Sequence, residues 1–119
     1  MIKTEFISPN ALKIVPSGKV MADDFRQLAP QVEPIIRQNG RIRLLIDASE
    51  FDGWENFAAF ETHANFIKDH QKSVERLALI AGHNWQHWLV DVIRMFLHPE
   101  ARAFDKSHEG EAYQWIVGR

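Results

Sequence analysis

The chain contains no cysteine, which removes disulfides, thiolate zinc sites and iron–sulfur ligation from its chemistry and suits a reducing compartment. Long apolar runs are also missing. Nothing approaches the roughly 20 consecutive apolar residues of a spanning helix, and no N-terminal apolar stretch reads as a secretory leader. Neither charge sign dominates: 14 Lys and Arg against 16 Asp and Glu leave a net charge of −2. This argues against the dominant basic face that nucleic-acid binding usually needs, though a local basic patch stays open. Gly-x-Ser-x-Gly and Walker-type sequences do not occur, so neither a hydrolase elbow nor a phosphate-cradling loop is expected. These absences predict a soluble, cytoplasmic protein with no cofactor, no bound metal and no nucleic-acid partner. Any membrane contact is expected to be peripheral.

What is present is a core. Of 119 residues, 45% are hydrophobic, enough for one domain spanning 1–119 and too few for a second. The most informative segment is Arg41-Ile-Arg-Leu-Leu-Ile-Asp47, followed by Glu50-Phe-Asp-Gly-Trp54 and a helical pattern. A short apolar run ending in an acid, then a Gly-containing turn, then a helix reads as the strand-to-helix edge of an α/β sheet. Such sheets place ligands and partners at the carboxyl ends of their strands.

The remaining pattern fits around that edge. Ile2–Ile7 and Leu12–Val15, separated by Ser8-Pro-Asn10, predict an opening hairpin. Asp23 is a suitable N-cap for a first helix carrying Phe25, Leu28, Val32, Ile35 and Ile36 at helical spacing, stopped by Asn39-Gly40. Pro30 and Pro34 fall on the opposite face of that helix, where their missing hydrogen bonds meet solvent and a kink is expected. Ile42–Ile46 predicts a buried parallel strand. A second helix from Trp54 to His70 is expected to bury Phe57, Phe60, Ala64 and Ile67. Val74–Ala81 predicts a strand, Trp85–Leu97 a third helix after Gly82-His-Asn84, and Ala101–Phe104 a last strand. Ser107 is placed to cap a final helix carrying Ala112, Tyr113, Ile116 and Val117. The order is ββαβαβαβα: a small mixed β-sheet with helices on its faces.

That order, with Gly18-Lys-Val20, Ile42–Asp47, Phe51-Asp-Gly-Trp54 and Trp85-Gln-His-Trp88, resembles the STAS domain and within it the bacterial SpoIIAA-like group. The resemblance covers nearly the whole chain and implies an anti-sigma-factor-antagonist-like interaction module. In that role a phosphorylatable Ser opens the second helix, where the helix dipole and free N–H groups favour phosphate. The comparable segment here is Phe51-Asp-Gly-Trp-Glu-Asn56, and the nearby hydroxyl, Ser49, lies earlier and reads as a turn former beside Asp47. The resemblance also implies membrane association and apolar-ligand binding.

Aromatic load makes the second of these implications concrete. Trp85, Trp88, Leu89, Val92, Ile93, Met95 and Phe96 cover an arc of roughly 200°, against the roughly 100° that one packing face requires. Either this helix is wedged between sheet and neighbour or buried in a homodimer, or it covers a ligand or meets a membrane. Phe57, Phe60, Trp85, Trp88, Leu89, Val92 and Phe96 are the expected wall for an apolar small molecule or lipid. His83 and His87 stand four apart without the intervening Glu of zinc proteases, and Asp47, Asp52 and Glu55 read as loop and helix-start acids. The expected function is a non-enzymatic apolar-ligand domain touching membranes through helices two and three. The partner-binding regulator is the alternative.

Overall fold

An antiparallel hairpin opens the chain, formed by β1 (Ile2–Ser8) and β2 (Ala11–Val20). The computed structural model describes residues 1–81 and 101–118. Over these residues α1 (Ala22–Asn39), β3 (Ile42–Asp47), β4 (Glu50–Trp54), α2 (Phe57–His70), β5 (Val74–Ala81), β6 (Ala101–Asp105) and α3 (Glu109–Val117) follow in order. The helix expected over 85–97 lies outside the described residues, and so do His83 and His87.

The sheet runs β1-β2-β3-β5-β6, with β1 antiparallel and the rest parallel. β2 serves two partners in turn. Its first half pairs with β3, Ala11 to Ile14 against Arg43 to Ile46, and its second half with β4, Ser17 to Val20 against Glu50 to Trp54. β4 thus resumes the line of β3 after a slip at Ala48–Ser49. The turn expected at 50–54 is therefore a strand, and Trp54 ends it instead of opening α2. β2 also runs on through Pro16-Ser-Gly18 to Val20, beyond Val15, where the hairpin was expected to end. Ser17 and Met1 exchange backbone hydrogen bonds across the hairpin, so Pro16 lies at the non-bonded register position and its nitrogen faces the gap between β3 and β4. A residue without an N–H loses nothing there.

Alternation along the strands divides the core. Leu12, Ile14, Ile42, Leu44 and Leu77 meet Leu28, Val32 and Ile35 of α1 and Ile67 of α2 on one face. Ala11, Leu45, Ala78 and Ile80 meet Ala112 and Ile116 of α3 on the other. Pro30 and Pro34 are exposed, as their wheel position predicts, and α1 is continuous across both. Its N-cap is Met21 and not Asp23: Asp24 reaches back to accept the Met21 N–H at 2.8 Å. Gly40 closes α1 in the left-handed region at φ 80°, donating its N–H to Ile36, a conformation other residues adopt only at a cost. Ser107 does not cap α3, which begins at Glu109 after a short 3₁₀ turn.

The C-terminal end of α3 is held by arginines from the sheet. Arg43 Nη1 donates to the Ile116 carbonyl at 2.8 Å and to that of Gly118, while Nε binds Glu75 at 3.0 Å. Arg76 Nη1 donates to the Trp115 and Gly118 carbonyls, each at 2.9 Å. Unpaired carbonyls and the negative end of the helix dipole both favour cations here. Replacing Arg43 by Met keeps the aliphatic stem and deletes these bonds. Arg43→Met is expected to lower the urea-unfolding free energy by about 2 kcal/mol, and an unchanged midpoint would refute this anchoring of α3.

Candidate functional site

The slip between β3 and β4 puts several side chains at the carboxyl ends of the parallel strands. Asp47 ends β3 and is 5% exposed. Its carboxylate accepts the Ser49 N–H at 3.1 Å, the Ser49 hydroxyl at 2.6 Å and the Lys106 ammonium at 2.7 Å. Burial alone would raise the Asp47 pKa, but Lys106 and Ser49 outweigh it and hold it below the usual 3.8. Lys106 also contacts Glu109 at 2.8 Å, and hydrogen bonds to Asp47 and Glu109 push its pKa up. The turn role expected of Ser49 is realised. Nothing in the sequence linked Asp47 to Lys106, because the pair is 59 positions apart.

The start of α2 completes this corner. Asn56 Oδ1 accepts the Ala59 N–H at 2.9 Å, so the capping oxygen occupies an amide that an incoming anion would need. No Ser or Thr lies between Glu50 and Glu61. The stripe expected to bury Phe57, Phe60, Ala64 and Ile67 is turned: Ala59 and Ile67 are the buried residues. Phe57 is 74% and Phe60 39% exposed. The turn follows from Trp54 belonging to β4, which leaves Asn56 as the cap and sets Ala59, His63, Phe66, Ile67 and His70 toward the sheet. Of the expected apolar wall, Phe57 and Phe60 therefore face outward. Trp85, Trp88, Leu89, Val92 and Phe96 lie outside the described residues.

Between the sheet and helices α1 and α2 lies an apolar cavity of about 80 Å³, lined among others by Phe25, Leu44, Phe51, Trp54, His63 and Phe66. His63 stacks on Phe25 with centroids 4.5 Å apart, and its Nδ1 accepts the Trp54 indole N–H at 3.0 Å. An accepting Nδ1 requires the neutral ring, and burial pulls the His63 pKa from the usual 6.5 down to about 4. Sequence reading passed over His63, although a histidine in the 59-63-66-67-70 helical spacing was a signal. An aromatic path joins this cavity to the surface: Phe51 and Trp54 meet edge-to-face at 5.3 Å, Trp54 and Phe60 at 5.0 Å, and Phe60 neighbours Phe57. Among the described residues no three His, Asp or Glu side chains gather as a metal set, and no helix is long and apolar enough to cross a membrane.

A mixed sheet interrupted at its carboxyl edge, with helices on both faces, is the architecture of a STAS-type domain. The SpoIIAA-like family model matches residues 11–117, and the chain belongs to that family. It is similar to an uncharacterised DUF3478-family protein with a SpoIIAA-like fold from Shewanella loihica PV-4, at 26% identity and TM-score 0.73, covering 98% of this chain and 93% of that one. The anti-sigma factor antagonist SpoIIAA in its unphosphorylated form matches with TM-score 0.65 and 10% identity over 96% of this chain and 98% of that one. Phosphorylated SpoIIAA, a Bacillus cell fate determinant, matches with TM-score 0.62 and 10% identity over 94% and 98%. At that identity these two show the fold alone. No curated protein matches the sequence.

Buried neutral His63 ties stability to pH. Its folded pKa lies below its unfolded one, so the unfolded chain binds the extra proton between these values. The contribution is complete above 6.5 and is lost as pH falls toward 4. The loss should be on the order of 3 kcal/mol, read as a fall in urea-unfolding free energy between about pH 7 and about pH 4.5. His63→Gln, which keeps an acceptor for Trp54 but cannot titrate, should flatten this dependence. An equally steep profile in the variant would assign the effect to other groups.

Proposed function

We propose that this protein is a non-enzymatic regulatory domain that binds a protein partner at the corner formed by β4 and the first turn of α2. The observation that carries this reading is the exposure of Phe57 at 74% beside Phe60, at the sheet edge where α/β folds place their partners. Solvated neighbouring aromatics of this kind are typical of association surfaces. The fold shared with an anti-sigma factor antagonist makes an anti-sigma-factor-type protein the first candidate partner. Phosphate does not gate this corner. Asn56 already caps α2, and phosphate on Ser49 would sit against the Asp47 carboxylate, 2.6 Å from the hydroxyl it replaces. Like charges at that distance repel. The test is titration of purified candidate anti-sigma factors by calorimetry. Phe57→Ser should weaken binding about tenfold or more, whereas Ser49→Ala should not. Binding that ignores Phe57→Ser and Phe60→Ser, or that is released by phosphorylating Ser49, would overturn the reading.

A second reading rests on the cavity. Its lining is apolar apart from a few groups such as His63 and Gln71, the character of small-molecule sites. At about 80 Å³ it is smaller than the roughly 150 Å³ engineered cavity that admits benzene. A small apolar molecule is thus the favoured occupant. An acyl chain, or a membrane exchanging one, would require α1 and α2 to part. Trp54 reports directly from the wall. Benzene or short fatty acids should shift its emission in wild type and not in Trp54→Phe. No shift with either, together with no co-sedimentation with liposomes, would remove both the ligand and the membrane reading.

A further inference from the structure

We infer that β1 is a self-complementary edge through which two copies of this chain join their sheets antiparallel about a two-fold axis at Thr4. The first step is backbone parity. Ser17 N–H donates to Met1 C=O at 2.9 Å and Met1 N donates to Ser17 C=O at 3.3 Å, which makes Met1–Ser17 a bonded pair of the antiparallel ladder. Bonded and non-bonded pairs alternate, so Lys3–Val15 and Glu5–Lys13 are bonded, whereas Ile2–Pro16, Thr4–Ile14 and Phe6–Leu12 are not. Pro16 agrees, since it has no N–H to give β1. The N–H and C=O groups of Ile2, Thr4 and Phe6 therefore point away from β2. β1 ends the strand order, and among the described residues no strand pairs with its outer side.

An edge with outward groups at alternate residues accepts another strand only in registers that set those residues opposite one another. Three antiparallel self-pairings do so with substantial overlap. Centring on Lys3 puts Lys3 opposite its own copy, and centring on Glu5 does the same for Glu5. Both place like charges directly across, which is unfavourable. Centring on Thr4 instead sets Lys3 against the partner copy's Glu5 twice over, on the face shared with α3. On the opposite face it lays Phe6 against the partner copy's Ile2. Phe6 is 66% exposed, and Lys3 and Glu5 are exposed, so all three are available. Charge thus selects one register from the three, and in it every outward backbone group from Ile2 to Phe6 finds a partner. The contact is isologous and closes at two copies. One strand pair is a small interface, so the association is weak and concentration-dependent.

Sedimentation velocity of the full chain over a concentration series tests this. Wild type should show a reversible monomer–dimer equilibrium. Lys3→Glu and Glu5→Lys each give a strand of one charge sign, and each should dimerise about tenfold or more weakly than wild type. Mixing the two variants should restore a heterodimer, because opposite signs then face each other at both positions. Thr4→Pro removes the central outward N–H, a position where an edge strand tolerates proline, and should leave a folded monomer by circular dichroism. A wild type that stays monomeric throughout would overturn the proposal. So would a dimer that survives Thr4→Pro, or single-charge variants that fail to combine.

Discussion

The Asp47 carboxylate is the point on which the carboxyl edge of this domain turns. It is buried at the end of β3, and a buried charge persists only when it is paired and hydrogen-bonded. Lys106 supplies the counter-charge and Ser49 two donors. These bonds fix the chain where it steps out of register, while Ala48 N–H still reaches Ile80. Every later feature of the edge inherits this step: the second pairing of β2, the position of Trp54, the cap of α2 and the rotation of that helix. Lys106 precedes α3, so the same contact ties the C-terminal helix to the centre of the sheet.

The two faces of the sheet are finished differently. On the α3 side the contacting residues include Ala11, Ala78 and Ala112, small enough for the helix to lie close, and arginines engage its last carbonyls. On the α1/α2 side larger side chains leave a cavity whose lining includes the Phe25–His63 stack and the Trp54–His63 hydrogen bond. A close-packed interior admits few such voids. Its aromatic wall continues outward through Phe60 to Phe57, so changes within the cavity and at the corner are mechanically connected. His63, buried against Phe25 and hydrogen-bonded to Trp54, belongs to the same group of residues.

The family relation agrees with this anatomy at the level of architecture. The strand-to-helix corner is kept. The start of α2 carries Asn56, Phe57, Ala58 and Ala59, none with a hydroxyl, and the Ser49 hydroxyl donates to the Asp47 carboxylate. The corner presents Phe57 and Phe60 to solvent.

Elements with strong local patterning were legible in the sequence. β5 falls on Val74–Ala81 as expected, β3 lies within one residue and α1 begins two residues earlier, and the solvent side of Pro30 and Pro34 follows from helical geometry alone. Hydrophobic period and helix stops are local properties, and local physics decided them. The strand at Glu50–Trp54 was not legible, because its pairing with β2 is a long-range fact that overrides a turn-like sequence. Once that pairing took Trp54, the frame of α2 shifted. Phe57 and Phe60 moved to the surface, and His63, which looked unremarkable as a letter, moved against Phe25. The Asp47–Lys106 contact depends on residues distant in the chain and carries no sequence signature. The sequence by itself determined the α/β class, the core strands and the absence of thiol chemistry. Which aromatic faces water, which histidine is dry and which edge stays open were decided only when strands met in three dimensions, because burial is a property of neighbours and not of residues.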